Sequence, residues 1–122
     1  MRTRISHAGV WVRDLAEALD FYTSKLGFEV RYDIREAEWT WVVVAPPDSE
    51  GPELILAVPG QPLMNDDTAG RLLDLLASGA MSAGILATDD CRADYQALSP
   101  RGVEFAQEPA ERDGIDATFR DP

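Results

Sequence analysis

The feature that most constrains this chain is a repeated punctuation. Asp14 and Gly27 bracket one apolar-periodic stretch, and Asp89 and Gly102 bracket another, with the same offset of 75 residues at both ends. An aspartate before a helical pattern is an N-cap signal, and a glycine just after it supplies the left-handed conformation of a C-cap. In the first stretch Leu15, Ala18, Leu19, Tyr22 and Leu26 recur at helical spacing. In the second the helix is expected from Cys91 to Leu98. The same register aligns Ala18 with Ala93, Ser24 with Ser99 and Glu29 with Glu104, whereas Phe21 meets Gln96. The repeat is therefore structural and weak in sequence. Two such modules are each too small to bury a sheet face alone, so they have to pack together.

Around each helix the pattern is that of strands. His7 to Val12 is short and apolar and carries β-branched Val10 and Val12, so it reads as a buried strand. Three further strand-like segments follow the first helix, Phe28 to Ile34, Trp39 to Ala45 and Glu53 to Val58, separated by polar residues 35–38 and by the proline-rich turn 46–52. The first module, about residues 5–59, thus reads β-α-β-β-β. A loop with Pro59 and Pro62 leads into a helical connector within about 63–79, its helix running from about Asp67 to Ser78. The second module, about 82–122, opens with a strand at Ala83 to Thr88 and continues through its helix to strands at Val103 to Gln107 and Asp116 to Arg120. The expected fold is an α+β single domain of two βαβββ modules. The second lacks its last strand, because only Asp121-Pro122 follows the third. That leaves an open sheet edge, which the expectation fills with further chain or a neighbouring copy.

Composition narrows the setting. Eleven basic against 22 acidic residues give a net charge of −11, which repels nucleic acid and anionic membrane and favours cationic partners. A single cysteine, Cys91, excludes an intrachain disulfide, and no apolar run approaches the roughly 20 residues of a membrane span. The N-terminal apolar stretch is too short and interrupted for a secretory signal. The expected compartment is the cytoplasm.

Strand parity selects the candidate site. Alternate residues share a face, so His7, Gly9 and Trp11 project one way, and Ala8, Val10 and Val12 the other. The valine set is core. An imidazole, a glycine and an indole make a poor core face and a plausible wall for a ligand cup. Parity in the fourth strand likewise groups Glu53 with Ile55 and Ala57. A neutral imidazole and a carboxylate from two strands of one sheet are suitable first ligands for a divalent ion such as zinc, nickel, iron or manganese. Each also has an ordinary reading: a lone histidine is commonly a hydrogen-bonded structural residue, and Glu53 at a strand start is commonly solvated. Trp11, Trp39 and Trp41 are candidates for ligand binding, since an indole stacks on flat or cationic molecules, although tryptophan is more often core. Cys91 begins a helix beside Asp89 and Asp90, and with His7 the only histidine it has no second imidazole as a base.

Taken together, His7, Val12, Asp14 and Leu15, then Ala18-Leu19-Asp20-Phe21-Tyr22 and Lys25-Leu26-Gly27-Phe28-Glu29, resemble the opening of vicinal-oxygen-chelate domains, the glyoxalase, bleomycin-resistance and extradiol-dioxygenase group. Thr88-Asp89-Asp90, Leu98 to Phe105, and Ala117, Phe119, Asp121 and Pro122 match the second half. The resemblance implies paired βαβββ modules, often as homodimers, whose sheets curl around a small organic ligand. In metal-dependent members, lyases, isomerases or dioxygenases, three or four His and Glu ligands line the cup. Metal-free members sequester a drug there. His7 falls on the first ligand position and Glu53 on the second. The third has Ser82 and Ala83 in place of a histidine, and the fourth would lie beyond Pro122. Both an enzyme and a metal-free binder of a cationic or aromatic compound, such as an antibiotic, stay open at this point.

Overall fold

The structure is a computed structural model that describes residues 2–36, 40–81, 83–111 and 114–122. Strand β1 (His7–Trp11) leads into helix α1 (Leu15–Asp20), which runs on as a π-helical turn over Phe21–Lys25. Strands β2 (Glu29–Arg35), β3 (Thr40–Ala45) and β4 (Glu53–Ala57) follow. Helix α2 (Asp66–Ala77) connects to helix α3 (Cys91–Leu98) and to the hairpin β5 (Phe105–Glu111) and β6 (Ile115–Phe119). The architecture is mixed α+β, as the residue pattern predicts.

The first module forms one sheet in the order β1-β4-β3-β2. Strand β1 runs parallel to β4 with His7 beside Glu53 and Val10 beside Leu56, and the pairing continues past both ends through Glu53 N–H to Ser6 O and Val12 N–H to Ala57 O. One face of this sheet carries the core. Val10, Val12, Val44 and Leu56 are buried there with Ala18, Phe21, Tyr22 and Phe28 of the first module and Val103 of the second. Phe105 and Phe119 pack on the same cluster, and Phe119 lies 6.1 Å from Phe21 between ring centroids. The two modules therefore share one core, which is what units too small to stand alone require.

The repeat is visible at the helix ends. Asp14 accepts from the Glu17 N–H at 2.9 Å, and Asp90 accepts from the Ala93 N–H at 3.0 Å. Gly27 and Gly102 both take positive φ, +84° and +97°, and the helix ends meet reciprocally: a Cβ on Gly27 would lie 3.2 Å from the Arg101 guanidinium, and one on Gly102 would lie 3.4 Å from Lys25. The second cap is Asp90, where the sequence alignment points to Asp89. The first helix thus spans one residue more between cap and glycine than the second. The π-helical turn at Phe21–Lys25 accommodates that residue, as an inserted position in a helix does.

One expectation needs correction. Ala83 to Thr88 is not a strand: the segment has no ladder, every residue in it is exposed, and Ile85 is 97% exposed. Extended residues become a strand only when another strand accepts their hydrogen bonds, and among the described residues none lies alongside. The second module is accordingly a two-stranded hairpin and a helix, with no equivalent of β1 or β4 formed among the described residues.

The last described residues tie the modules together. The buried Tyr22 hydroxyl donates to Asp121 Oδ2 at 2.9 Å. Burial first, then the Asp121 charge and this hydrogen bond, push the phenol well above its usual range. A phenol whose folded-state pKa is raised contributes stability that is complete below its unfolded value of about 10 and is lost as pH climbs beyond it. Denaturant midpoints measured from pH 8 to 11 should therefore fall above about pH 10 in the native sequence, and fall less steeply in Tyr22→Phe. Equal slopes would contradict this.

Candidate functional site

The other face of the first sheet carries the site. Because β1 and β4 are parallel and in register, His7 and Glu53 stand side by side, and His7 Nε2 lies 3.3 Å from Glu53 Oε1. His7 Nδ1 is 2.9 Å from Ser6 Oγ, and the Trp41 ring meets the imidazole edge-on with centroids 5.2 Å apart. His7 and Glu53 line a cleft of about 670 Å³ with Arg4, Ser6, Arg31 and the turn at Ser49 to Pro52. The sequence candidates on these two strands thus converge.

Arg31 is the residue that strand patterning does not single out. Glu29, Arg31 and Asp33 alternate like a solvated face, but β2 carries a bulge between Val30 and Tyr32. Bulges re-aim side chains, and this one puts Glu29 and Arg31 on the cup face before it and Tyr32 and Ile34 there after it. Arg31 Nη1 lies 3.2 Å from Glu53 Oε2, and its Nε lies 2.9 Å from Glu29 Oε1. Its Nη2 donates to Pro46 O at 3.1 Å and to Ser49 O at 3.2 Å. One guanidinium therefore joins two carboxylates to the turn that borders the cleft. The ion-pair contacts at His7 Nε2 and Arg31 Nε are close but poorly aligned, so both buried nitrogens have no true hydrogen-bond acceptor.

The tryptophans divide. Trp41 stands against His7, whereas Trp11 lies further along β1 beside a separate pocket of about 200 Å³, with Gly9, Leu76, Met81, Ala83 and Asp121. His7 and Trp11 share a face four residues apart, roughly 13 Å at the rise of a strand. Trp39 lies outside the described residues, as does Ser82. Ala83, at the expected third ligand position, has no donor side chain. Cys91 is a half-buried residue in the first turn of α3 and is not among the residues lining the His7 cleft.

The chain matches the family model described as Glyoxalase/Bleomycin resistance protein/Dioxygenase superfamily over residues 4–122. It belongs to that superfamily. An uncharacterized protein of Shewanella frigidimarina (strain NCIMB 400) is 36% identical over 124 residues, covering 99% of this chain and 87% of the relative. The crystal structure of UcmS2 superposes with a TM-score of 0.92 at 42% identity, covering 99% of this chain and 92% of that one. TnmS3, described as an antibiotic binding protein from Streptomyces sp. CB03234, superposes with a TM-score of 0.74 at 29% identity, covering 98% of this chain and 88% of that one. No helix among the described residues is long and apolar enough to cross a membrane.

The metal chemistry known in part of this superfamily can be tested against the donors present. The His7–Glu53 separation suits two ligands held about 2.1 Å from one ion, and it equally suits a direct ion pair. One observation weighs against the ion. Glu53 already shares its charge with Arg31, whose guanidinium does not deprotonate in proteins. The chain thus offers two donors here, one of them already paired with a guanidinium.

Proposed function

We propose that this protein binds and sequesters a small aromatic or cationic organic molecule of the antibiotic kind on the cup face, without a metal. The observation that carries the reading is Arg31 on Glu53: the carboxylate that would anchor an ion is engaged by a cation of the chain itself. The antibiotic-binding description of TnmS3, and its likeness over nearly the whole of this chain, support the ligand class. A net charge of −11 favours a cationic ligand. Trp41 at the His7 end and Trp11 further along β1 supply indole faces at a spacing that suits a drug-sized molecule.

The reading includes a homodimer. Strand β1 is an edge of the four-stranded sheet, and the segment 83–88, its repeat counterpart, stands exposed in the same chain. Two copies related by a twofold axis would supply each edge with a strand of matching character, once in each direction.

Intrinsic tryptophan fluorescence tests the binding reading. Titration with bleomycin, and separately with the flat cation ethidium, should give saturable quenching with at least one of them. Trp11→Ala and Trp41→Ala should each weaken that binding by about twofold to tenfold, the value of one lost aromatic stack. Saturable binding that neither substitution weakens would place the ligand elsewhere, and no saturable binding by any aromatic or cationic probe would count against the reading.

A further inference from the structure

We propose that Arg31 is the built-in cation of this site, a positioning residue that fixes Glu53 and the cleft-bordering turn in the way a bound ion would, and whose charge keeps divalent metal out. The inference rests on the metal-free reading above.

The geometry is specific. Arg31 belongs to β2 and Glu53 to β4, so the side chain has to cross β3, two strand spacings of roughly 4.8 Å each. It can do so because the residues of β3 on that face are short: Val43 and Ala45, both fully buried. A long aliphatic stem laid over such residues accounts for their burial while the charged head reaches the carboxylate. At its far end the guanidinium is occupied on every side, by Glu29, Glu53, Pro46 O and Ser49 O. Its contacts are all with the chain's own carboxylates and carbonyls, so its role is to organise Glu53, and through Glu53 the orientation of His7. The bulge at Val30/Tyr32 puts Arg31 on this face without surrendering the apolar Tyr32 and Ile34 positions that follow.

Deleting the charge should therefore convert an ion pair into the beginning of a metal site. Cobalt(II) is the probe, read by its visible absorption and by calorimetry on protein stripped with EDTA. The native sequence and Arg31→Lys, which keeps the charge, should show no saturable cobalt binding in the millimolar range. Arg31→Met should bind at least about tenfold more tightly, the effect of removing one repulsive charge from a carboxylate ligand. The gain should vanish in the double variant with His7→Ala. If Arg31→Met fails to fold because the turn at 46–49 is released, Arg31→Gln keeps a neutral donor for those carbonyls and should show the same gain. An unchanged, absent affinity in both neutral variants would overturn the inference while leaving the metal-free reading intact. Tight, stoichiometric cobalt binding by the native sequence would overturn both.

Discussion

Leu56→Ala is expected to destabilise the protein by about 3 kcal/mol, within the range measured for leucine truncation in cores. Leu56 is 1% exposed, pairs in register with Val10 across the parallel β1–β4 ladder, and sits in the cluster that both modules share. Its removal leaves a void flanked by the stiff residues Val10 and Val44, which cannot swing in to fill it. Domains of this size are stable by about 5–15 kcal/mol, so the loss is a large part of the whole and should lower the melting temperature by about 10 °C. The same strand holds Glu53 beside His7, so loosening it should also weaken ligand binding. Urea denaturation monitored by fluorescence measures the first effect; a loss under about 1 kcal/mol would mean that β4 is not central to the core.

If the proposed homodimer forms through segment 83–88, Ile85→Glu is expected to abolish it. Ile85 is the most exposed of the large apolar residues among those described, and Leu86 in the same segment, Met81 shortly before it and Leu75 in α2 are 47%, 42% and 50% exposed. An exposed apolar segment of this character, in a chain whose second sheet is a hairpin of only two strands, is unfavourable in isolation, because such hairpins are marginal alone and exposed apolar chain invites pairing. In a twofold dimer each substitution enters twice. Replacing one interfacial isoleucine by a carboxylate costs about 2 kcal/mol, so the pair should weaken dimerisation by about 4 kcal/mol, roughly a thousandfold. Sedimentation equilibrium should give the native chain twice its 13.4 kDa mass and Ile85→Glu the monomer mass. A native monomer at high micromolar concentration would show that the exposed segment is not an interface between copies.

The contrast between these two positions shows what the residues alone reveal. Local signals carry the elements whose hydrogen bonds close within the first module or within a helix. The aspartate caps and glycine stops mark both helices of the repeat, and the runs of strand-forming apolar residues mark β1 to β4 to within about a residue at most ends. Parity along β1 and β4 also puts His7 and Glu53 on one face; their direct adjacency comes from a parallel register that no local pattern states. Segment 83–88 looks equally convincing as a strand, with Ile85 and Leu86 at its centre, but a strand is a property of a pair, and its partner is not among the described residues. Arg31 is illegible for a related reason. Its charge alternates with Glu29 and Asp33 as on any wet face, and only the bulge and the reach across β3 bring it to Glu53.

The central claim is that the cup holds an organic ligand with Arg31, and no metal, balancing Glu53. The most direct test is one titration of the protein with bleomycin or ethidium, whichever quenches its fluorescence, repeated in excess EDTA and in excess zinc. The account predicts the same saturable affinity in all three conditions. Binding that disappears in EDTA and returns with zinc would contradict it.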